Sequence, residues 1–305
     1  MTGIFQRFTG KKKSEASKAA TSHPGDEPTL PLQNRHETIA APTSTQIEPP
    51  QFLVGIGHSV GRQRDHNEDA LFTYTTNLLS DTLILPFGFY VVADGMGGHQ
   101  YGEKASAIAV RAMATTVLEA ISTPLFNPPT AFPPELLQNA MEKGIQSAHD
   151  TILEQASGGG STLTAALVVG DTLAIAHIGD SRAYAISPEG HIRALTRDHS
   201  LVNRLVELGQ ITPDEAASHP QRNVLYRALG QVEPLESEIL SMPVPTSGYL
   251  LLCSDGLWGL ISDDEIRTYV TTAASPIQAC QALVAAANAA GGPDNITAIL
   301  VQFLA

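Results

Sequence analysis

Phe89-Tyr90-Val91-Val92-Ala93-Asp94-Gly95 is a run of strand-forming residues that ends in an acid and a glycine. A buried strand closing on Asp-Gly puts a carboxylate at the rim of a sheet, with a turn that bares the backbone carbonyl. Tyr249-Leu250-Leu251-Leu252-Cys253-Ser254-Asp255-Gly256 repeats the pattern, and in Gly291-Gly292-Pro293-Asp294-Asn295-Ile296-Thr297 the acid precedes its strand. With Asn67-Glu68-Asp69 near the start, these rims can converge on one point. Carboxylates that share a point repel unless they share protons or bind cations. The economical reading is an oxygen-ligand site for hard divalent ions.

Each piece alone has a blander reading. A lone Asp-Gly is more often a turn than a site. Met96 and Gly98 stand where a calcium loop would carry acids, and no Gly-Lys-Ser/Thr follows to make a nucleotide phosphate loop. Arg64, four residues before Glu68, is either a surface ion-pair partner or a bidentate fork for phosphate. Gly179-Asp180-Ser181-Arg182 reads as a hairpin turn between strands rather than as catalytic. His99, His177, His191, His199 and His219 are scattered, without zinc-site spacing, and read as surface or structural.

Outward from residue 89, the pattern alternates irregularly between strands and helices. Strands are predicted at 52–57, 70–74, 89–93, 162–169, 172–178, 182–187, 248–254 and 296–303. Ala105, Ile108, Ala109, Ala112, Met113 and Thr116 predict a helix over about 102–120. Leu137, Met141, Ile145, Ala148 and Ile152 predict a second, and a third falls at about 276–290. Residues 199–230, polar and broken, read as an inserted flap. Irregular alternation with antiparallel turns favours an α+β layered fold over a doubly wound parallel one.

The chain has 305 residues and formal net charge −13. Residues 1–50 are rich in Ser, Thr, Pro and Lys, carry net +1, and read as a disordered tail before one domain at 51–305. The remaining −14 argues against nucleic acid as a partner and suits a body that recruits cations. No run of about 18 uninterrupted apolar residues predicts a transmembrane helix. Cys253 and Cys280 lie in apolar sequence without a Cys-x-x-Cys pair, which points to buried thiols in a reducing compartment and a cytoplasmic location.

In order and setting, the acids resemble the metal-dependent protein phosphatase family, the 2C-type serine/threonine phosphatases. The matching segments are Arg64-x-x-Asn67-Glu68-Asp69, Val92-Ala93-Asp94-Gly95-Met96-Gly97-Gly98-His99, Ser161-Thr162-Leu163-Thr164-Ala165, Gly179-Asp180-Ser181-Arg182, Leu252-Cys253-Ser254-Asp255-Gly256-Leu257 and Gly292-Pro293-Asp294-Asn295-Ile296-Thr297. They run in family order over about 52–303. His219-Pro220-x-Arg222-Asn223 with Arg227-Ala228-Leu229-Gly230 looks like the bacterial branch.

The resemblance implies a four-layer α-β-β-α sandwich of two antiparallel sheets flanked by helices. It implies two Mn²⁺ or Mg²⁺ ions: Asp94 bridging both, Asp255 and Asp294 completing one site, Glu68 and the Gly95 carbonyl the other. Asp69 would act through water, and Arg64 would grip the substrate phosphate. A metal-bridging water would then attack phosphorus in phosphoserine or phosphothreonine, with no phosphoenzyme. The general acid would be His66, His99 or a metal-bound water. Bacterial members often bind a third ion through an acid expected just before Ser161; the stretch 155–160 has none, which leaves Asp198 as the candidate partner. Implied partners are phosphorylated proteins and a cognate Ser/Thr kinase, with a monomer as default. The rival readings are a catalytically inactive phosphoprotein-binding module and a small-molecule phosphatase.

Overall fold

Successive residues of one strand divide two hydrophobic cores between them. Phe87, Phe89, Val91 and Ala93 belong to one core, and Tyr90 and Val92 to another. Side chains alternate faces along a strand, so a strand apolar on both faces must lie in a covered sheet. The computed structural model describes residues 51–304 except 81–82, 98–99, 128–131 and 232–234; the expectation for the tail at 1–50 and the candidate His99 lie outside the described residues.

One sheet runs β2 (Asp69–Ser80), β3 (Leu83–Met96), β5 (Leu163–Val169), β6 (Thr172–Ile178) and β9 (Glu238–Pro243), with the two-residue β4 (Gly160–Ser161) on the end of β3. The other runs β1 (Gln51–Ser59), β11 (Ile296–Leu304), β10 (Gly248–Cys253), β7 (Arg182–Ile186) and β8 (Ile192–Ala194). Each of these pairings is antiparallel.

Three cores separate four layers. Helices α1 (Gln100–Phe126) and α2 (Pro134–Gln155) cover the first sheet through Ile108, Met113, Met141 and Ile145. Between the sheets lie Tyr90, Val92, Ile175, Leu250, Leu252 and Val301. Helices α5 (Asp255–Trp258), α6 (Asp263–Thr272) and α7 (Pro276–Ala289) cover the second sheet through Leu257, Ile266, Val270 and Leu283. This is the α-β-β-α sandwich that the sequence implies. Helix α1 is long and apolar enough to cross a membrane by composition, yet half of that window is buried in the protein.

Several elements exceed their predicted bounds. The β2–β3 hairpin is paired from Asp69–Asp94 out to Ser80–Leu83. Helix α6 was not predicted, because its surface is charged and only Ile266 and Val270 are buried. Strands β8 and β9 are short and have no fully buried residue, which gave them no clear period. Residues 199–230 fold as α3 (Leu201–Glu207) and α4 (Pro213–Ala217), tied back through Ser200–Leu225 and Ser161–Leu229 bridges.

One turn was misread. Gly170 makes the β5–β6 hairpin with φ 61°, as expected. Gly179-Asp180-Ser181 is not a hairpin: β6 lies in one sheet and β7 in the other, so these residues cross between layers.

Candidate metal centre

Antiparallel register brings the acids to one end of the sandwich. Asp69 opens β2 directly opposite Asp94 near the close of β3. Asp255 follows β10, Asp294 precedes β11, and the crossover adds Asp180. Asp94, Asp180, Asp255, Asp294, Glu68 and Gly95 all line one open cavity of about 570 Å³. Arg64 and His66 stand on its wall, with Asn223 and Leu225 reaching in from the flap. Asp69 lies behind the wall.

Local structure explains the placement. Asp94 N–H donates to Thr162 Oγ1 at 2.9 Å, and Thr162 N–H donates to the Asp94 carbonyl at 2.8 Å. Gly95 N–H donates to the Glu68 carbonyl at 3.1 Å. A Cβ on Gly95 would sit 2.1 Å from the Gly102 carbonyl oxygen, so this approach admits glycine alone. Asn295 steadies the first loop: its side-chain oxygen accepts Glu68 N–H at 2.7 Å, and its amide donates to the carbonyls of Val60 and His66 at 2.9 and 3.0 Å. Asn295 stands in sequence as an ordinary member of the Asp294-Asn295 motif, yet it ties two acid-bearing segments together.

The electrostatics are those of charges without enough partners. Burial, then Asp69 and Asp255, push the Asp94 carboxyl well above its usual range. Burial and Asp255 do the same to Asp180. Asp255 is pushed up to about 6 by burial and Asp294, and its hydrogen bond with Asp94 opposes that rise. Asp69 rises to about 7 through burial, although Ser254 and Thr297 donate to its Oδ2 at 2.8 and 2.6 Å. Arg64 answers part of the charge, holding Asp294 Oδ2 at 2.8 Å and Glu68 Oε2 at 3.5 Å. His66 Nε2 faces Glu68 Oε1 at 3.5 Å.

Divalent cations fit this set. Asp255 Oδ1, Asp69 Oδ1 and Glu68 Oε1 are buried oxygens with no hydrogen-bond partner. Buried oxygens of this kind are costly unless something positive meets them. An all-oxygen donor set selects Mg²⁺ or Mn²⁺ over softer metals. Among the described residues no three acidic, His or Cys side chains grip a single point as they stand. Arg64 Nη2 holds Asp294 Oδ2 at 2.8 Å, which sets one cavity carboxylate against a guanidinium.

Two sequence expectations change. Asp198 does not line the cavity: its carboxylate accepts Nε and Nη2 of Arg182 at 2.9 and 2.7 Å. Asp180, read from sequence as a turn residue, does line it. The crossover thus brings a further acid to the cavity, which no local pattern reveals.

Residues 56–299 match the model of the family described as protein phosphatase 2C. The chain is 36% identical over 250 residues to the serine/threonine phosphatase stp of Listeria welshimeri, spanning 79% of this chain and 92% of that protein. The S. agalactiae serine/threonine phosphatase structure aligns with a TM-score of 0.68 at 31% identity, over 82% of this chain and 98% of that one. The catalytic domain of the phosphatase PstP, in complex with two manganese ions, aligns with a TM-score of 0.66 at 28% identity, over 84% and 100%. Sequence and fold agree, and the chain belongs to the protein phosphatase 2C family, in its bacterial-type branch.

Proposed function

We infer that this chain is a metal-dependent protein serine/threonine phosphatase that hydrolyses phosphoserine and phosphothreonine. The observation that carries the reading is one open cavity lined by six carboxylates and a guanidinium. Asp94, Asp255, Asp294, Glu68 and the Gly95 carbonyl would hold two Mn²⁺ or Mg²⁺ ions, and Asp180 would extend the set. The ions supply, when bound, an acidified water and positive charge against the phosphoryl oxygens.

The chain's own residues then have defined tasks. Arg64, released from Asp294, offers its planar fork to two phosphate oxygens. Ser254 and Thr297 fix Asp69 Oδ2, which would leave Oδ1 to accept from a water beside the ions. His66, on the cavity wall, is placed to protonate the leaving alkoxide. Flap residues Asn223 and Leu225 add contacts beyond the phosphate, which favours a polypeptide substrate over a small phosphoester. The physiological partner is a phosphoprotein modified by a Ser/Thr kinase, met by a cytoplasmic monomer.

Hydrolysis of p-nitrophenyl phosphate and of a phosphothreonine peptide tests the reading, with Mn²⁺, with Mg²⁺ and with EDTA. Release that EDTA abolishes supports it. Folded protein that releases nothing with either metal would instead be a phosphoprotein-binding module.

A further inference from the structure

The crossover that carries Asp180 is locked by residues outside the cavity lining. Gly179 N–H donates to Nδ1 of His199 at 3.1 Å, and His199 N–H donates back to the Gly179 carbonyl at 2.7 Å. The Asp180 carbonyl accepts the indole N–H of Trp258 at 3.0 Å. The peptide planes on both sides of the Asp180 Cα are thus held, one by the His199 backbone N–H and one by Trp258, while the His199 ring holds the peptide one step earlier, at Gly179 N–H. Gly179 itself has φ 106°, and a Cβ there would lie 2.6 Å from the Thr162 Cβ. It contributes no side chain that could hold the loop.

His199 is fully buried and stands at the root of the flap. Its carbonyl accepts Tyr226 N–H at 3.0 Å, and the two rings meet edge to face at 5.8 Å. A backbone N–H can only donate, so Nδ1 is the acceptor and the proton sits on Nε2, which faces Glu238 Oε1 at 3.5 Å. Burial keeps the ring neutral, pushing its pKa down to about 4. A buried histidine with one backbone bond is ordinarily structural. This one makes a two-way bond to the residue preceding a cavity acid, and carries the flap on its other side.

We propose that His199 is a positioning residue, whose Nδ1, by anchoring the Gly179 N–H, holds the turn that presents the Asp180 carboxylate to the cation site and ties the flap root to it. The proposal rests on reading Asp180 as part of that site. Outer partners of metal-binding groups commonly set affinity by 10- to 100-fold.

The test titrates Mn²⁺ calorimetrically into the full chain and into five variants: Asp180→Asn, His199→Gln, His199→Asn, Trp258→Phe and the double variant D180N/H199Q. Asn places an oxygen where Nδ1 lies; Gln places it near Nε2. H199Q and W258F should weaken Mn²⁺ binding about tenfold. H199N should stay within about threefold of the unmodified chain, and D180N/H199Q should bind no more weakly than D180N. Equal losses for H199N and H199Q, additive losses in the double variant, or a lower melting temperature with unchanged Mn²⁺ binding would overturn the proposal. D180N binding Mn²⁺ like the unmodified chain would overturn the reading of Asp180 instead. A second measurement needs no variant. Linkage is reciprocal, so Mn²⁺ should slow hydrogen exchange at the Gly179 and His199 amides together. Exchange there that ignores Mn²⁺ would also sink the proposal.

Discussion

Asp255 and Asp198 are both shielded carboxylates near the same end of the sandwich, and the protein treats them in opposite ways. Asp198 receives a two-pronged Arg182, which also stacks on Trp258 at 3.5 Å and donates to the Tyr184 hydroxyl at 2.8 Å. Its charge is answered. Asp255 Oδ1 is buried without a hydrogen-bond partner and faces Asp94, Asp180 and Asp294. The protein answers its charge only in part, through Asp94, Arg64 and the Gly256 backbone, and burial with Asp294 outweighs them. Burial of an acid therefore does not mark a functional group here; uncompensated burial does, because only an external cation or proton relieves it.

The largest expected effect tests the uncompensated side. Asp94→Asn removes one repelling charge and, on the proposed reading, a ligand that both ions would share. Turnover of a phosphothreonine peptide should fall roughly 10³-fold or more. With EDTA present, the variant should melt no lower than the unmodified chain. Near-full activity, or a clear drop in melting temperature, would place Asp94 with the compensated acids.

Asp198→Ala tests the other side. It strands Arg182 in a site where that side chain is 24% exposed. Urea unfolding should show a loss of about 3 kcal/mol. A loss well under 1 kcal/mol would mean that the fork is only a surface pair. Mn²⁺ at a hundred times its dissociation constant should raise the stability of the unmodified chain by about 2.7 kcal/mol. Asp94→Asn should lose most of that gain, and Asp198→Ala should keep it.

The smallest effect concerns pH. His177 is buried, its Nε2 donates to the Arg197 carbonyl at 2.9 Å, and burial pushes its pKa down to about 4. Below about pH 6.5 the unfolded chain takes up this proton while the folded protein does not. The contribution is therefore complete above pH 6.5 and lost as pH falls towards 4. The cavity acids act with the opposite sign. Asp255 and Asp69, raised to about 6 and about 7, stabilise the fold when protonated and lose that contribution as pH rises through those values. Comparing unfolding of the unmodified chain with His177→Gln isolates the histidine. The difference should change by on the order of 2 kcal/mol between pH 6.5 and 4. A flat difference would show that His177 is not held neutral.

Much of this molecule was readable along the chain. Strands 162–169 and 172–178, with the Gly170 turn between them, are local patterns, and the structure reproduces them closely. The rim acids at 68, 94, 255 and 294 each stand beside an apolar run or a turn that advertises a strand end. Helix α6 was also within reach: Ser262 and Glu265 form a reciprocal cap whose spacing is a known start signal. Its weak apolar stripe hid it.

Asp180 and Asp198 were not readable, and for the same reason. Each sits in a short polar connection, Asp180 between two strands and Asp198 between a strand and a helix, and nothing nearby says where the next element packs. Sequence by itself determined which residues end strands, which faces are apolar, and that acids would gather at strand ends, because alternation and turn chemistry act over a few residues. Tertiary structure decided which acids share the cavity and which is answered by an arginine. Those outcomes depend on distances between segments remote in sequence, and burial sets how strongly the charges act across them.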